Sequence, residues 1–572
     1  MDTPKPSKRA RSKVARKIRR VVDAAQRLTT TASTPNSRVS RPEALAGYQA
    51  AVEPLPSRAH LSVRAMPDEV RASLQSLKAS DRTFHGAKFS LAYFRSSRTT
   101  SPCADMFGYL SAARIRQNTR LPFDATSRAL LEELGGLMGD PGRDVAPDSV
   151  IPAGYTYVGQ FVDHDITMDV SSNLDVMTDA NTIHNMRTPS LELDSVYSRG
   201  PALDPFFYVF PTVGNPTAIK FRLGTNTNTG PGGPGGSAGL PGMKVQVDFD
   251  VPRISAPAHT AIVGDPRNDE NLIVSQFHQT ILRFHNAVVD MLLGSGFAGD
   301  IFIEAKRLVT HHYQWAVVHD FLKRICGQAV VTQAINSSSV AKGSPFRMPV
   351  EFAVAAYRFG HSMIRDNYWV NFNFPNATLA QVFEFNRNPR LPVFSNWVVD
   401  FNAFFDTGVP VPINNKARKI DSVMAAGLES LPGFAGMMQV LAIRNLRRGL
   451  ALGLPSGQGM AKQFKVAPLT EQQLVQGLPA AEVAILQKQN KLLLKKTPLW
   501  YYVLRESAVT TGGDRLGPVG ARIVARTFAQ ILKRDAASYL NAPTPFAPTL
   551  TAATAGDFTF ADLVTFAKVT QP

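Results

Sequence analysis

The chain has 572 residues, 44% apolar and 19% charged, which is enough apolar material for a large buried core and too little charge for a disordered polymer. Its two cysteines, Cys103 and Cys326, exclude a disulfide scaffold, and neither stands in a zinc-binding spacing. The net charge of +17 is uneven: Met1 to Arg20 carries nine Lys/Arg against Asp2, so a basic tail on a mildly basic body is expected rather than a specific nucleic-acid-binding domain.

Residues 1–78 are rich in Ser, Thr, Pro, Ala and Arg and read as an N-terminal extension, with one large domain over 79–572. The basic tail reads as a solvated arm or as a contact for an anionic surface. It is not followed by an apolar stretch, so no secretory signal is read there. No run approaches the roughly 18 apolar residues of a transmembrane span. A cytoplasmic protein is the default expectation, with leaderless secretion as the alternative.

Further along, Tyr155 to Asp165 has helical spacing, and Gly224 to Gly242 (GTNTNTGPGGPGGSAGLPG) must be a loop, because Gly and Pro at this density defeat helix and strand. Lys244 to Val251 alternates like a strand. Leu272 to Leu293 places Ile273, Phe277, Ile281, Val288 and Leu292 on one face, with Gly294 as a stop. Phe302 to Cys326 repeats the pattern and stops at Gly327. Shorter helical patterns cover Phe352 to Asp366, Met437 to Arg448 and Pro518 to Leu532. The expected fold is mainly α with little sheet.

Two glycine sets, Gly230/Gly232/Gly235 and Gly294/Gly296/Gly299, match G-x-G-x-x-G but neither follows a strand and opens a helix, so neither is read as a dinucleotide site. His311, His312 and His319 share an amphipathic helix and read as packing residues. In VGQFVDHDITMD, Gln160, Asp163 and His164 stand at i, i+3 and i+4, which converges an amide, a carboxylate and an imidazole on one helix face. Spacing alone leaves a packed turn and a functional site both open. In GDPRNDEN, Arg267 and Glu270 are i, i+3 at a helix start that Asp265 or Asn268 could cap, and taken alone the segment reads as an exposed, charge-rich N-terminus. His361 follows Gly360, whose missing side chain would let a planar group approach the backbone. Asn445 and Arg448 share a face one turn apart.

In order, the Q-x-x-D-H turn, the G-D-x-R-x-x-E turn, the R-F-G-H segment and the N-x-x-R-G…G-L-P segment resemble the peroxidase-cyclooxygenase superfamily, the animal-type haem peroxidases that include myeloperoxidase and lactoperoxidase. The resemblance runs from about Phe84 to the C-terminus, and Thr497 to Glu506 (TPLWYYVLRE) and Arg515 to Phe528 (RLGPVGARIVARTF) look like closing segments of bacterial members. It implies a large helical haem peroxidase domain binding haem b, and an enzyme that reduces hydrogen peroxide through a compound I intermediate. It makes His164 the distal histidine, Arg267 the distal arginine and Gln160 their neighbour. His361 becomes the haem iron ligand, with Asn445 accepting a hydrogen bond from its imidazole through the amide oxygen, and Arg448 lies near a propionate.

Asp163 and Glu270 match the carboxylates that form haem esters in the mammalian relatives. The methionine of the sulfonium link is replaced by Asn271, so that bond is not expected, and the resemblance then points to bromide, iodide, thiocyanate or phenols as electron donors. Asp165 with Thr188, the Ser190 carbonyl, Glu192 and Asp194 matches a calcium site whose oxygen ligands suit a hard dication. Two other readings stand beside the peroxidase. One is a fatty-acid dioxygenase of the same superfamily, using Tyr357 or, less directly, Tyr368 as a radical; the other is a non-catalytic, adhesive relative.

Overall fold

The computed structural model describes residues 83–84, 87–88, 106–139, 148–169, 172–211, 215–226, 248–254, 259–337, 346–384, 392–431 and 434–569. The extension 1–78, Cys103, residues 227–242 of the glycine-rich loop and the first half of the Lys244 to Val251 strand lie outside them. Of that strand, Asp250 is described, and it makes an isolated antiparallel bridge to Gly224.

Helices dominate what is described. The seven that position the cavity are α1 (Ala125–Met138), α2 (Gly154–Ile166), α3 (Leu272–Gly294), α4 (Ile301–Ala316), α5 (Leu441–Ala451), α6 (Leu499–Thr511) and α7 (Pro518–Arg534). The described strands are two-residue ladders, such as Phe107–Gly108 parallel to Met348–Pro349 and Asn367–Tyr368 antiparallel to Ala377–Thr378. No helix among the described residues is long and apolar enough to cross a membrane.

Local chemistry explains the helix ends. Asn271 opens α3 by accepting the Val274 N–H, Asp300 opens α4 by accepting that of Ile303, and Pro518 begins α7, where a missing N–H costs nothing. Gly327, at φ 81°, stops the helical run that continues from α4 through a π-turn at Val317–Phe321 to Cys326. The expected helix over Phe352 to Asp366 is instead two pieces, α-helix Val350–Ala353 and a 3-10 helix Ala356–Met363. Met437 to Arg448 is likewise broken, since a 3-10 turn, Gly436–Gln439, precedes α5.

The core is aromatic and tight. Phe161 of α2 meets Phe277 of α3 edge-on at 5.2 Å between ring centres, and Phe277 is within 6.3 Å of Phe405 and 6.1 Å of Phe560. The α1–α5 contact needs a glycine: a Cβ on Gly135 would lie 2.9 Å from the Ile443 Cα. Backbone contact there seats α5, which carries Asn445. The three histidines read as packing residues behave so. His311 faces the Ala537 carbonyl at 3.0 Å, His312 the Leu308 carbonyl at 2.7 Å, and His319 stacks on Trp315 at 3.8 Å.

Candidate functional site

One cavity gathers α2, the segment before α3, and the 3-10 helix that carries His361. Gln160, Asp163 and His164 line it from α2, Arg267, Glu270 and Asn271 from the second segment, and Tyr357, Arg358, Gly360 and His361 from the third. Its remaining wall is largely apolar and includes Phe359, Met363, Leu379, Phe383, Leu428 and Leu441. A Cβ on Gly360 would meet nothing within 4 Å, so the space beside His361 is open, as the sequence predicts.

On α2, His164 is 4% exposed and its Nδ1 lies 2.9 Å from Asn268 Oδ1. An amide oxygen only accepts, so with the amide in this orientation Nδ1 is the nitrogen that donates. Nε2 lies 3.4 Å from Glu270 Oε1, and the same oxygen accepts from Gln160 Nε2 at 2.5 Å. Asn271, besides capping α3, donates to Gln160 Oε1 at 3.2 Å. Thr167 donates to Asp163 Oδ1 at 2.7 Å.

The GDPRNDEN segment is not the exposed, charge-rich turn that its composition suggests, for Asp265, Arg267, Asn268, Asp269 and Glu270 are each 3% exposed or less. Buried charges need partners, and each has them. Asp265 holds Arg267 side-on, at 3.1 Å to Nε and 2.8 Å to Nη2, and Arg267 also donates to the His164 carbonyl at 3.0 Å. The Arg267 and Arg187 guanidiniums outweigh burial and hold the Asp265 carboxyl down at about 2. Asp269 is clamped by Arg253 through two 2.9 Å bonds. Asp265 caps the 3-10 turn Pro266–Asp269, as one of the two expected caps, but α3 is capped by Asn271 and not by Asn268.

Behind His361, the Asn445 amide sits 2.8 Å from the imidazole Nδ1, as expected, but with its nitrogen toward the ring. Arg358 Nη1 donates to Asn445 Oδ1 at 2.8 Å. A guanidinium has only donors, so it claims the oxygen that the resemblance had assigned to the imidazole. Burial and the nearby Arg448 charge pull Arg358 down to about 10. Arg448 itself is absent from the cavity lining; it donates to Asp169 Oδ2 at 3.2 Å and to Ser172 Oγ. Arg358, Asn268 and Asp265 are thus site residues whose roles the spacing did not reveal.

The acidic residues matched to calcium form a second cluster behind α2. Asp165, fully buried, accepts from the Leu193 N–H at 3.2 Å and Ser195 Oγ at 3.1 Å. Burial, then the charges of Asp194 and Glu192, push its carboxyl well up, and burial with Asp194 and Asp535 raises Glu192 to about 7. Thr188 bonds Glu192, Arg187 pairs with Asp194, and the Ser190 hydroxyl donates to Asp535 at 2.7 Å. No group of three or more His, Cys, Asp or Glu among the described residues has metal-binding geometry, so these residues are neighbours without converging.

The sequence model of the animal haem peroxidase family matches residues 237–562, more than half of the chain. The chain belongs to the animal haem peroxidase family. Membership implies haem as the cofactor. The match takes in Arg267, Glu270, His361, Asn445 and Arg448, while α2 lies before it.

The chain is 32% identical over 112 residues to a peroxidase-like protein of Margaritifera margaritifera, covering 18% of this chain and 14% of that protein. It is 24% identical over 219 residues to a dual oxidase of Drosophila melanogaster, covering 36% of this chain and 13% of that one. It therefore spans well under two thirds of these curated relatives. Peroxidase A from Dictyostelium discoideum has the same fold at a TM-score of 0.51, with 15% identity over 82% of this chain and 94% of that chain.

Proposed function

We propose that this animal haem peroxidase reduces hydrogen peroxide and oxidises small anions such as bromide, iodide and thiocyanate, or phenols. The observation that carries the reading is a single cavity lined by His164, Arg267 and His361, with His164 Nδ1 turned to the Asn268 amide oxygen and Nε2 on the Glu270 side.

The residues present fit haem b. His361, with open space over Gly360, would bind the iron through Nε2 once the Asn445 amide turns its oxygen to an Nδ1 proton; Asp163 and Glu270 are cavity carboxylates that could attach the ring; and Arg448, beyond the lining, and Arg358 would answer its propionates. Haem, when bound, supplies the iron that takes up peroxide and stores its oxidising equivalents. His164 Nε2 accepts the peroxide proton and returns it to the departing oxygen. Arg267, fixed by Asp265 with its charge permanent, stabilises the negative charge that develops as the O–O bond breaks. Gln160 holds water or a small anion through its amide. A calcium ion beside Asp165 would answer the like charge of Asp165, Glu192 and Asp194, whose burial favours protonation, but as they stand these carboxylates do not converge on one point.

The test is the absorption spectrum of the haem-loaded full chain before and after one equivalent of peroxide, followed by bromide. A spectral change reversed by bromide is expected, and His164→Ala should slow it by about 10²- to 10⁴-fold with haem still bound. An unchanged rate in that variant would overturn the assignment of His164.

A fatty-acid dioxygenase is the second reading, favoured by Tyr357: its hydroxyl is buried in the cavity wall and has no hydrogen-bond partner among the described residues. Tyr368 is outside that wall, with its hydroxyl accepting the Arg365 N–H at 2.9 Å. Oxygen uptake with a long-chain fatty acid, abolished by Tyr357→Phe, would transfer the function to this class.

A further inference from the structure

Resting on the acid–base reading of His164, we propose that His278, acting through Asn268, is a positioning residue that fixes the tautomer of His164. Three side chains form a line: His164 Nδ1 to Asn268 Oδ1 at 2.9 Å, then Asn268 Nδ2 to His278 Nδ1 at 3.1 Å. All three are buried, at 4%, 0% and 1% exposure. The sequence separates them, for Asn268 lies in the 3-10 turn Pro266–Asp269 and His278 in the second turn of α3.

The two ends of an amide are different groups on nearly the same shape, so a lone asparagine beside a histidine does not say which ring nitrogen holds the proton. A histidine on its far side ties the two choices together, because each orientation of the amide serves only one pair of tautomers. His278 Nδ1 accepts from the Asn268 NH2 only when it lacks a proton, which leaves the His278 proton on Nε2. The amide oxygen is then turned to His164, whose Nδ1 must donate. Nε2 keeps its lone pair for the cavity, as a base there requires. Burial, which outweighs the attraction of Asp269 and Asp265, holds His278 down at about 4 and hence neutral. Packing edge-on against Phe161, with ring centres 6.2 Å apart, holds the His278 ring in place.

The relay works against a competitor. Glu270 Oε1, 3.4 Å from His164 Nε2, attracts a proton to that nitrogen. If Asn268 turned over, its NH2 would donate to Nδ1, and the ring would place its proton on Nε2, toward Glu270. His164 would then enter the reaction with its basic site blocked. The His278 acceptor makes that turn costly, because its Nδ1 would lose its donor and be left facing the amide oxygen unless its own proton moved as well.

Histidine ¹⁵N spectra of the full chain loaded with zinc porphyrin, at a pH where His164 is neutral, read both tautomers directly; His164→Gln identifies the signal. The wild type should carry its proton on Nδ1 of His164 and on Nε2 of His278. His278→Leu should move the His164 proton toward Nε2, and slow the peroxide reaction of the haem-loaded protein about fivefold, the preference one ordinary hydrogen bond supplies. Asn268→Asp tests the relay without emptying the core: its carboxylate only accepts, so His164 should stay protonated on Nδ1 while His278 shifts its proton to Nδ1. A wild-type His164 protonated on Nε2 would overturn the proposal, as would a His164 tautomer unmoved in folded His278→Leu or a His278 proton unmoved in Asn268→Asp. If the tautomer moves and the peroxide rate does not, the relay stands and the acid–base reading of His164 falls.

Discussion

Asp163 and Glu270 face the cavity from two separate segments, and their partners differ. Asp163 has one oxygen engaged by Thr167, while one oxygen of Glu270 serves Gln160 and lies near His164. Both carboxylates line the cavity. They therefore suit attachment to a bound ring. After peroxide turnover, acid-acetone should leave haem on the wild type, release more from Asp163→Asn or Glu270→Gln, and release all of it from the double variant; complete extraction from peroxide-treated wild type would remove the ester proposal.

At this scale the sequence displayed Gln160, Asp163 and His164, because helical spacing alone puts them on one face. It did not display Asn268 as the partner of His164, since Asn268 reads equally well as a cap. Nor did it display Arg358 as the donor to Asn445, because that pairing spans separate elements.

Helix ends carry the clearest pH signal. Glu506 of α6 accepts the Val519 and Gly520 N–H groups at 2.8 and 3.2 Å, so a carboxylate on one helix caps the start of α7. Burial nevertheless raises it from 4.5 to about 7, despite those bonds and Arg522. A folded-state value above the unfolded one gives stability that is full below about 4.5 and is lost as pH rises through about 7. The shift corresponds to roughly 3 kcal/mol. Thermal unfolding should therefore occur at lower temperature at pH 8 than at pH 5, and Glu506→Gln should flatten that slope; an equal slope in the variant would show that Glu506 does not titrate in this range.

Element by element, α3 and α7 were legible from periodicity and stop signals, and their ends fall within two residues of expectation. The His361 segment was not. Its spacing reads as one helix, but Val354 and Ala355 interrupt it and the second part winds as a tighter 3-10 helix. Tertiary contacts, such as Trp500 Nε1 donating to the Arg358 carbonyl at 3.1 Å, override the local pattern.

For the molecule as a whole, the acidic cluster behind α2 couples the distal side to neighbouring segments. Arg187 pairs with Asp194 and lies 3.6 Å from Asp265, which holds Arg267, so the cluster and the site share one chain of charges. A bound calcium would add charge where Asp165 and Glu192 otherwise favour protonation. Metal analysis should find about one calcium per chain, and chelation should lower the unfolding temperature, because a ligand that binds only the folded state stabilises it. A metal-free protein whose unfolding temperature ignores chelator and added calcium would leave Arg187 as the counter-ion.

Composition and periodicity by themselves determined a mainly α chain with a basic leading segment, and four ordered motifs determined its family, because helix faces and cap residues are properties of neighbours in sequence. The tertiary structure alone decided that the GDPRNDEN segment is buried, that Asn445 turns its nitrogen to His361, and that His278 stands behind Asn268. Each of these depends on what lies across a contact between segments distant in sequence, and the cost of an unpaired buried charge or amide decides it there.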